Sequence, residues 1–272
     1  VRFFSPQFQS GSGGTVCPTG ASDYPAGTEV TVTAIPDAGY IFHSWSGSVS
    51  GTDPQITVTL DQDHSITANF VKDQRDQESD GRNNDRKMKI PTVSVGDTGN
   101  IADDTGYGSV AYEYEIGKYE VTNSQYTAFL NAVATEDDTH DLYTPFMSIS
   151  YNCGTYSTSA PNKPVSWVSF WAAARFANWL TNGQPTGPQD DSTTETGAYT
   201  LTTDGIDNNT VTRGSWYAEA VGNISDKTVF AVTSADEWYK AAYYDGNGGY
   251  YDYPTGTDNP PTSEAPPGAS NS

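Results

Sequence analysis

The sequence predicts an α+β protein, with a small all-β module at the N-terminus and a loop-rich domain after it. Three observations lead to this class. Apolar and polar residues alternate in short runs before residue 71, as they do in half-buried strands. Two later segments repeat their apolar residues at helical spacing instead. Gly, Pro, Ser, Thr and Asn are abundant throughout, which favours short elements joined by many loops.

The N-terminal module spans residues 14–71 and follows a short segment at residues 1–13. Its predicted strands are residues 30–34, 56–60 and 66–70. Turn-forming residues separate these strands, because Gly supplies positive φ and Pro and Asp favour tight turns. Tyr40, Phe42 and Trp45 are predicted to form the aromatic core that so small a domain needs for stability.

The second domain, residues 90–272, opens with a predicted strand and helix. Residues 112–120 alternate charged and bulkier side chains, as a half-buried strand does. Thr122 stands where a helix N-cap belongs, and Gln125 follows three residues later as the second member of a capping box. The apolar residues that follow at helical spacing are Tyr126, Phe129, Leu130 and Val133.

Two further helices are predicted in this domain. The first lies within residues 164–180, where we expect four aromatic side chains to be buried in the core. These are Phe170, Trp171, Phe176 and Trp179. The other begins at Thr233 with Asp236 as its capping partner, and Tyr243 and Tyr244 close it.

Charge limits the partners of the chain. The net charge of −21 repels phosphate backbones and anionic lipids, so we expect neither nucleic-acid binding nor membrane association. No apolar run approaches the roughly 18 residues that a membrane helix needs. Residues 72–89 mix both charge signs with almost no apolar residues, which is typical of a solvated linker. A basic patch for an acidic partner is the alternative interpretation of that segment.

Two groups of motifs resemble known families. YPAGTEV at residues 24–30, GYIFHSWSG at 39–47 and ANF at 68–70 resemble the divergent internalin-B-type repeat, a spacer or adhesive module of bacterial surface proteins. From about residue 93 onward the chain resembles the formylglycine-generating-enzyme family, also called the sulfatase-modifying-factor family. The phrases that carry this second resemblance are YEYEIGKYEVTNSQY at 112–126, PVSWVSFWAAARFANWL at 164–180 and DEWYKAAYY at 236–244.

The second resemblance implies a variant of the C-type lectin fold. It also implies that the chain stops before the part of the domain that holds the copper-binding cysteine pair of true formylglycine generators. Residues 263–272 form a Pro/Gly/Ser-rich end, and Arg213 to Trp216 echo a late family phrase, which we interpret as coincidence. No catalytic residue is carried over onto this sequence.

Cysteine and histidine usage predicts no metal centre of the usual spacing. Cys17 and Cys153 fall in different predicted domains and form no CxxC pair, so we expect two unpaired thiols, with an interdomain bridge as the alternative. His43, His64 and His140 show no HxH or HExxH spacing.

Two weaker patterns indicate ligand binding. Asp204, Asp207 and Asn209 offer oxygen ligands for calcium, although ordinary Asx turns explain the same residues. No other cofactor is predicted. The three tyrosines that are predicted to be exposed and to stack on sugars are Tyr250, Tyr251 and Tyr253.

Together these observations predict a secreted or cell-surface bacterial protein whose second domain is non-catalytic and serves binding, adhesion or extracellular assembly. Assembly would proceed through open strand edges, with a neighbouring subunit completing the fold. Two alternatives stay open. One is a fragment of a copper- and oxygen-dependent sulfatase-activating enzyme, and the other is a calcium-dependent glycan-binding protein.

Overall fold

The computed structural model describes residues 2–19, 22–36, 40–72, 87–214 and 228–261. The chain divides into two compact units, each built from segments that are distant in sequence. Unit 1 comprises Val1–Met88, Asn123–Asp138 and Tyr143–Trp167, and unit 2 comprises Lys89–Thr122, Thr139–Leu142 and Val168–Ser272. Most of the predicted linker, the Pro/Gly/Ser-rich end and Trp216 lie outside the described residues. The domain boundaries drawn from the sequence stay a prediction.

The described residues among the first 72 of unit 1 form eight strands. They are β1 Phe3–Phe4, β2 Gln7–Ser10, β3 Gly14–Cys17, β4 Tyr24–Pro25, β5 Glu29–Pro36, β6 Tyr40–Gly47, β7 Gln55–Thr59 and β8 Ser65–Lys72. One sheet has the order β2-β8-β6, in which β2 runs parallel to β8 and β6 antiparallel to it. A second, antiparallel sheet has the order β3-β5-β7, and β1 pairs with β4. The three strands predicted by alternation are confirmed as β5, β7 and β8.

The inner faces of these strands form one apolar core. Its fully buried members are Val32, Leu60, Ile66 and Ala68. Trp45 is buried with them as predicted, and its Nε1 donates to the Asp53 carbonyl at 2.7 Å, so the indole satisfies its polar atom. Phe42 is half-buried and packs against the Trp45 ring at a centroid distance of 5.2 Å.

Helix α1, Asn123–Val133, and a hairpin of β11 Ser150–Asn152 and β12 Thr155–Ser157 also belong to unit 1. The four apolar residues predicted to share one helix face are all buried. Asn131 joins α1 to the hairpin, because its Nδ2 donates to the Tyr156 carbonyl at 2.9 Å and its Oδ1 accepts from the Tyr156 amide at 2.8 Å.

The two cysteines form a disulfide, so the prediction of two unpaired thiols is wrong. Cys17 ends β3, and Cys153 lies in the turn between β11 and β12, with 6.1 Å between their Cα atoms. The reason is topological: the hairpin belongs to the same compact unit as β3 despite a separation of 136 residues along the chain.

Unit 2 contains two short strands and three helices among its described residues. They are β9 Thr92–Val95, β10 Tyr114–Gly117, α2 Phe170–Thr181, α3 Thr203–Asp207 and α4 Ala235–Tyr243. The strands pair antiparallel. Helix α4 begins one residue later than predicted: Ser234, not Thr233, is its N-cap, and Glu237 completes the capping box. Over the described ranges, no helix is long and apolar enough to cross a membrane.

Asn178, a residue of α2, makes three hydrogen bonds to the backbone of the segment that packs beside the helix. Its side chain is fully buried, with Nδ2 donating to the carbonyls of Thr194 and Tyr199 at 2.7 and 3.0 Å. Its Oδ1 accepts from the Tyr199 amide at 2.8 Å. Phe176 and Trp179 are buried as predicted, whereas Phe170 is 52% exposed, so its assignment to the core is wrong. Phe170 is the first helical residue, where the helix has no preceding turn to cover it.

Candidate functional site

The start of helix α4 is held by a network of charged and polar groups around Glu237. The Ser234 hydroxyl caps the helix, and the Ser234 amide donates to Glu237 Oε2 at 2.7 Å. Arg213 makes a bidentate ion pair with the same carboxylate, at 2.7 Å from Nη1 to Oε1 and 2.6 Å from Nη2 to Oε2. The Tyr112 hydroxyl donates to Glu237 Oε1 at 2.7 Å. The helix is therefore fixed at one point to two other segments of unit 2.

In the described part of unit 2, six aromatic side chains on and around α4 form a continuous aromatic array. Its members are Tyr107, Trp238, Tyr239, Tyr243, Tyr244 and Tyr250. Tyr239 is its centre, with its ring centroid 6.0 Å from that of Tyr107, 4.7 Å from that of Tyr243 and 5.7 Å from that of Tyr250. Trp238 extends the array from Tyr243, at 6.0 Å.

Two of the three ends of the array, Tyr107 and Trp238, reach solvent, and the third end, Tyr244, is half-buried. Tyr107 is 50% exposed and Trp238 is 52% exposed, whereas the tyrosines between them are half-buried. A carboxylate lies beside the array, because the Tyr239 hydroxyl donates to Asp103 Oδ2 at 2.5 Å. Hydrogen bonds from the side chains of Thr105 and Tyr239 lower the pKa of Asp103, so this acceptor stays ionised over the ordinary pH range.

Tyr250 joins the array to Asn100 and Gly108 through hydrogen bonds. Its hydroxyl accepts from Asn100 Nδ2 at 2.7 Å and lies 3.0 Å from the carbonyl of Gly108, to which it donates. Gly108 has φ of +94°, and a Cβ there would lie 2.6 Å from the Tyr250 hydroxyl oxygen, so only glycine permits this approach. This predicted stacking residue is therefore a structural part of the array.

The other two predicted stacking residues do not join the array. Tyr251 and Tyr253 are half-buried, and among the described residues no ring contact links either to the six array members. The Tyr251 amide donates to the Tyr243 carbonyl at 2.8 Å, which places it directly behind the end of α4. The exposed members of the array are Tyr107 and Trp238, and the sequence predicted neither of them as a ligand-stacking residue.

The predicted calcium ligands lie on and after helix α3. Asp204 and Asp207 are exposed on this helix, and Asn209 follows it with φ of +52°. The Asp204 carbonyl accepts from the Asn208 amide and side chain at 3.1 and 2.9 Å, so it serves the helix end. In the described part of the chain, no group of three or more His, Cys, Asp or Glu side chains is placed to hold a metal. Calcium binding here stays a prediction.

A cleft of about 520 Å³ lies beside α2 and α3. Arg175 and Glu195 form a bidentate pair on its wall, at 2.6 Å from Nε to Oε1 and 2.7 Å from Nη2 to Oε2. His140 Nε2 lies 3.5 Å from the same Oε1. Because the ion pair occupies both oxygens of Glu195, the carboxylates left to meet a ligand are Asp190, Asp191 and Asp207, and the cleft suits a cationic group.

A second cleft of about 460 Å³ lies between β9, β10 and the end of α4. Lys240 is buried against it, and its Nζ donates to the Asp97 carbonyl at 2.8 Å. Burial lowers the pKa of this lysine. The Tyr244 hydroxyl donates to the Asp97 carboxylate, so Lys240 and Tyr244 together fasten the loop that precedes Gly99. This geometry gives the buried lysine a structural partner.

Comparison with known proteins confirms both predicted resemblances. Residues 6–74 match the divergent InlB B-repeat domain. No curated protein and no solved structure matches the chain. Residues 83–269, more than half of the sequence, match the sulfatase-modifying factor enzyme 1-like domain, and the chain belongs to that family.

Proposed function

We propose that this protein is a non-catalytic, extracellular or cell-surface binding protein whose sulfatase-modifying factor-like domain binds neutral glycans. The observation that carries the proposal is the aromatic array, which ends in the exposed rings of Tyr107 and Trp238. Aromatic faces carry negative partial charge, and the C–H groups on one face of a sugar ring carry positive partial charge, so the two stack. The InlB-type repeat would act as the spacer that displays this surface.

Charge and polarity favour a neutral saccharide over an acidic one. The net charge of −21 disfavours the approach of uronate or sulfate groups. Asp103 Oδ2 accepts one hydrogen bond, from Tyr239, and a carboxylate oxygen has two lone pairs, so this atom can accept a second hydrogen bond from a sugar hydroxyl. An exposed aromatic ring with a nearby acceptor supplies both stacking area and orientation.

The disulfide supports an extracellular location. Disulfides form and persist in oxidising compartments and are rare in the reducing cytosol. Cys17 and Cys153 are the only cysteines of these 272 residues, and both are joined. Assembly with a second copy through strand edges stays the alternative proposal for the partner.

Retention on insoluble polysaccharides tests the glycan proposal. The protein is mixed with chitin, cellulose or β-1,3-glucan particles, and the bound fraction is measured against particle concentration. The double variant Tyr107→Ala/Trp238→Ala removes both exposed rings. We expect its affinity for the retained polysaccharide to fall by at least tenfold, the factor that about 1.4 kcal/mol of lost stacking produces.

The matched control is Tyr119→Ala, which removes another exposed tyrosine of unit 2 whose neighbour is the Lys118 ammonium, 5.5 Å from its ring. This variant is expected to bind like the wild type. Equal retention of the double variant and the wild type, or failure of the wild type to bind any of the three polysaccharides, would overturn the proposed function.

A further inference from the structure

We infer that Phe146 and Trp167 form a second saccharide-binding platform, located in unit 1 and independent of the aromatic array. Their ring centroids lie 5.2 Å apart with the planes inclined by 35°, so the two rings are in contact in a tilted arrangement. Phe146 is 72% exposed and Trp167 is 67% exposed. Two large rings that contact each other and still face solvent are unusual, because such rings ordinarily bury most of their area. The ligand class rests on the proposed function.

The backbone holds Trp167 in a conformation that this residue type rarely adopts. Its φ is +62°, in the left-handed region that favours glycine and is an outlier for a bulky side chain. Such strain persists only where the surrounding structure over-determines it, and it concentrates at ligand-binding positions. With this backbone conformation the indole is exposed and contacts Phe146.

The loop that carries Trp167 is fastened to the start of helix α1. The Asn123 amide donates to the Lys163 carbonyl at 2.9 Å, and its Nδ2 donates to the Ala160 carbonyl at 3.0 Å. The Ser124 amide donates to the Pro161 carbonyl at 3.0 Å. Three hydrogen bonds from the first residues of a packed helix therefore fix this loop shortly before the tryptophan.

The segment that carries Phe146 is held in place by the residues that directly follow it. Met147 and Ile149 are buried, and the Met147 amide donates to the Thr144 carbonyl at 3.0 Å. The Thr158 hydroxyl donates to the Ser148 carbonyl at 2.6 Å, which joins the segment to the end of the hairpin that bears Cys153. Both rings are thus pre-organised, and a ligand would bind without first ordering them.

The surroundings favour a saccharide over a protein partner. Protein-binding hot spots are aromatic residues enclosed by further apolar contacts that exclude water. Here the neighbours in sequence are exposed and mostly polar or proline residues: Pro145, Ser148, Asn162, Lys163, Pro164 and Ser166. Exposed rings that are flanked in sequence by exposed polar residues suit a hydroxyl-rich sugar ring whose one face is apolar.

Calorimetric titration of the full chain with neutral hexasaccharides tests this inference. The probes are chitohexaose, cellohexaose and laminarihexaose, each titrated into the wild type and four variants. For the probe that binds, we expect Trp167→Ala and Phe146→Ala each to weaken affinity by at least tenfold, and Trp167→Tyr to stay within about threefold of the wild type. The fourth variant, Trp238→Ala, leaves the platform untouched. Thermal unfolding of each variant checks that the exposed rings are removed without loss of the fold.

The outcomes separate this inference from the proposed function. If Trp167→Ala abolishes binding and Trp238→Ala has no effect, the platform is the site and the array is not. If only Trp238→Ala weakens binding, or if Trp167→Tyr binds as poorly as Trp167→Ala, the platform is overturned. Two binding events in the wild type, each lost with a different tryptophan, would support both sites. No binding of any hexasaccharide to the wild type would overturn the platform.

Discussion

Arg213 and Glu237 form a bidentate ion pair that joins an irregular segment to the first turn of helix α4, with N–O distances of 2.7 and 2.6 Å. The Glu237 side chain is 5% exposed and that of Arg213 is 18% exposed, so water screens the pair little. The same carboxylate completes the capping box and accepts from Tyr112. One acidic side chain therefore fixes the orientation of the helix that carries Trp238 and Tyr239.

Replacing Glu237 by glutamine is expected to lower the free energy of unfolding by about 3–5 kcal/mol, because it removes the charge that faces the largely buried Arg213 guanidinium. Urea denaturation monitored by circular dichroism measures the change. Glu120→Gln, at an exposed glutamate of unit 2, is the control and should change stability by less than about 0.5 kcal/mol. A loss below about 1 kcal/mol for Glu237→Gln would contradict a structural role for the pair.

Replacing Cys17 by serine is expected to cost about 4–5 kcal/mol, because the disulfide closes a loop of 136 residues and so restricts the unfolded chain strongly. The double variant Cys17→Ser/Cys153→Ser is the control for effects of a free thiol and should match the single variant. Guanidinium denaturation gives the free energies. Peptide mapping without reductant should yield one cross-linked peptide pair that contains Cys17 and Cys153. If secreted protein lacks this cross-linked pair, both this prediction and the support for an oxidising compartment fall.

The sequence predicted the elements that local pattern determines. Alternation located β5, β7 and β8, and helical spacing identified the buried face of α1. Tertiary contacts decided the remainder. Thr233 and Ser234 are both good N-caps, and Ser234 caps the helix because Glu237, three residues later, also pairs with Arg213. No spacing rule reports such a partner.

The candidate site was predictable only in part, for a similar reason. Tyrosines clustered near glycines indicated Tyr250, which does belong to the array. Tyr107 stands far away in sequence, and its ring meets Tyr239 only in the fold. Trp238 lies within a helix motif, where an aromatic residue is usually assigned to the core. The disulfide is only the alternative prediction from the sequence, because the predicted boundary places its two cysteines in different domains.

Replacing Asn178 by alanine is expected to destabilise the protein by about 3 kcal/mol. Its amide satisfies two carbonyls and one N–H of buried backbone, and alanine would leave all three without this partner. Asn152→Ala, at an exposed position of β11, is the matched control. Urea denaturation of both variants gives the comparison, and equal stability of the two would refute the role assigned to Asn178.

Replacing Tyr156 by phenylalanine is expected to make the free energy of unfolding fall less steeply as pH rises above 10. Burial, followed by the nearby charge of Asp138, raises the pKa of Tyr156 from 10.0 to about 12. Between pH 10 and 12 the unfolded chain therefore releases a proton that the folded protein retains, so the free energy of unfolding falls as pH rises through this window. Below pH 10 the contribution is fully present.

Urea unfolding of the wild type and Tyr156→Phe at pH 9, 10, 11 and 12 measures this slope. Burial also raises the pKa of Tyr126, so the variant keeps some pH dependence, but its slope should be shallower than that of the wild type. The hydroxyl also donates to the Ala134 carbonyl at 3.1 Å, so the variant should start from a stability about 1 kcal/mol lower at pH 9. Tyr119→Phe, at an exposed tyrosine, is the control. If Tyr156→Phe and the wild type lose stability in parallel up to pH 12, Tyr156 does not hold its proton in the folded protein as its burial requires.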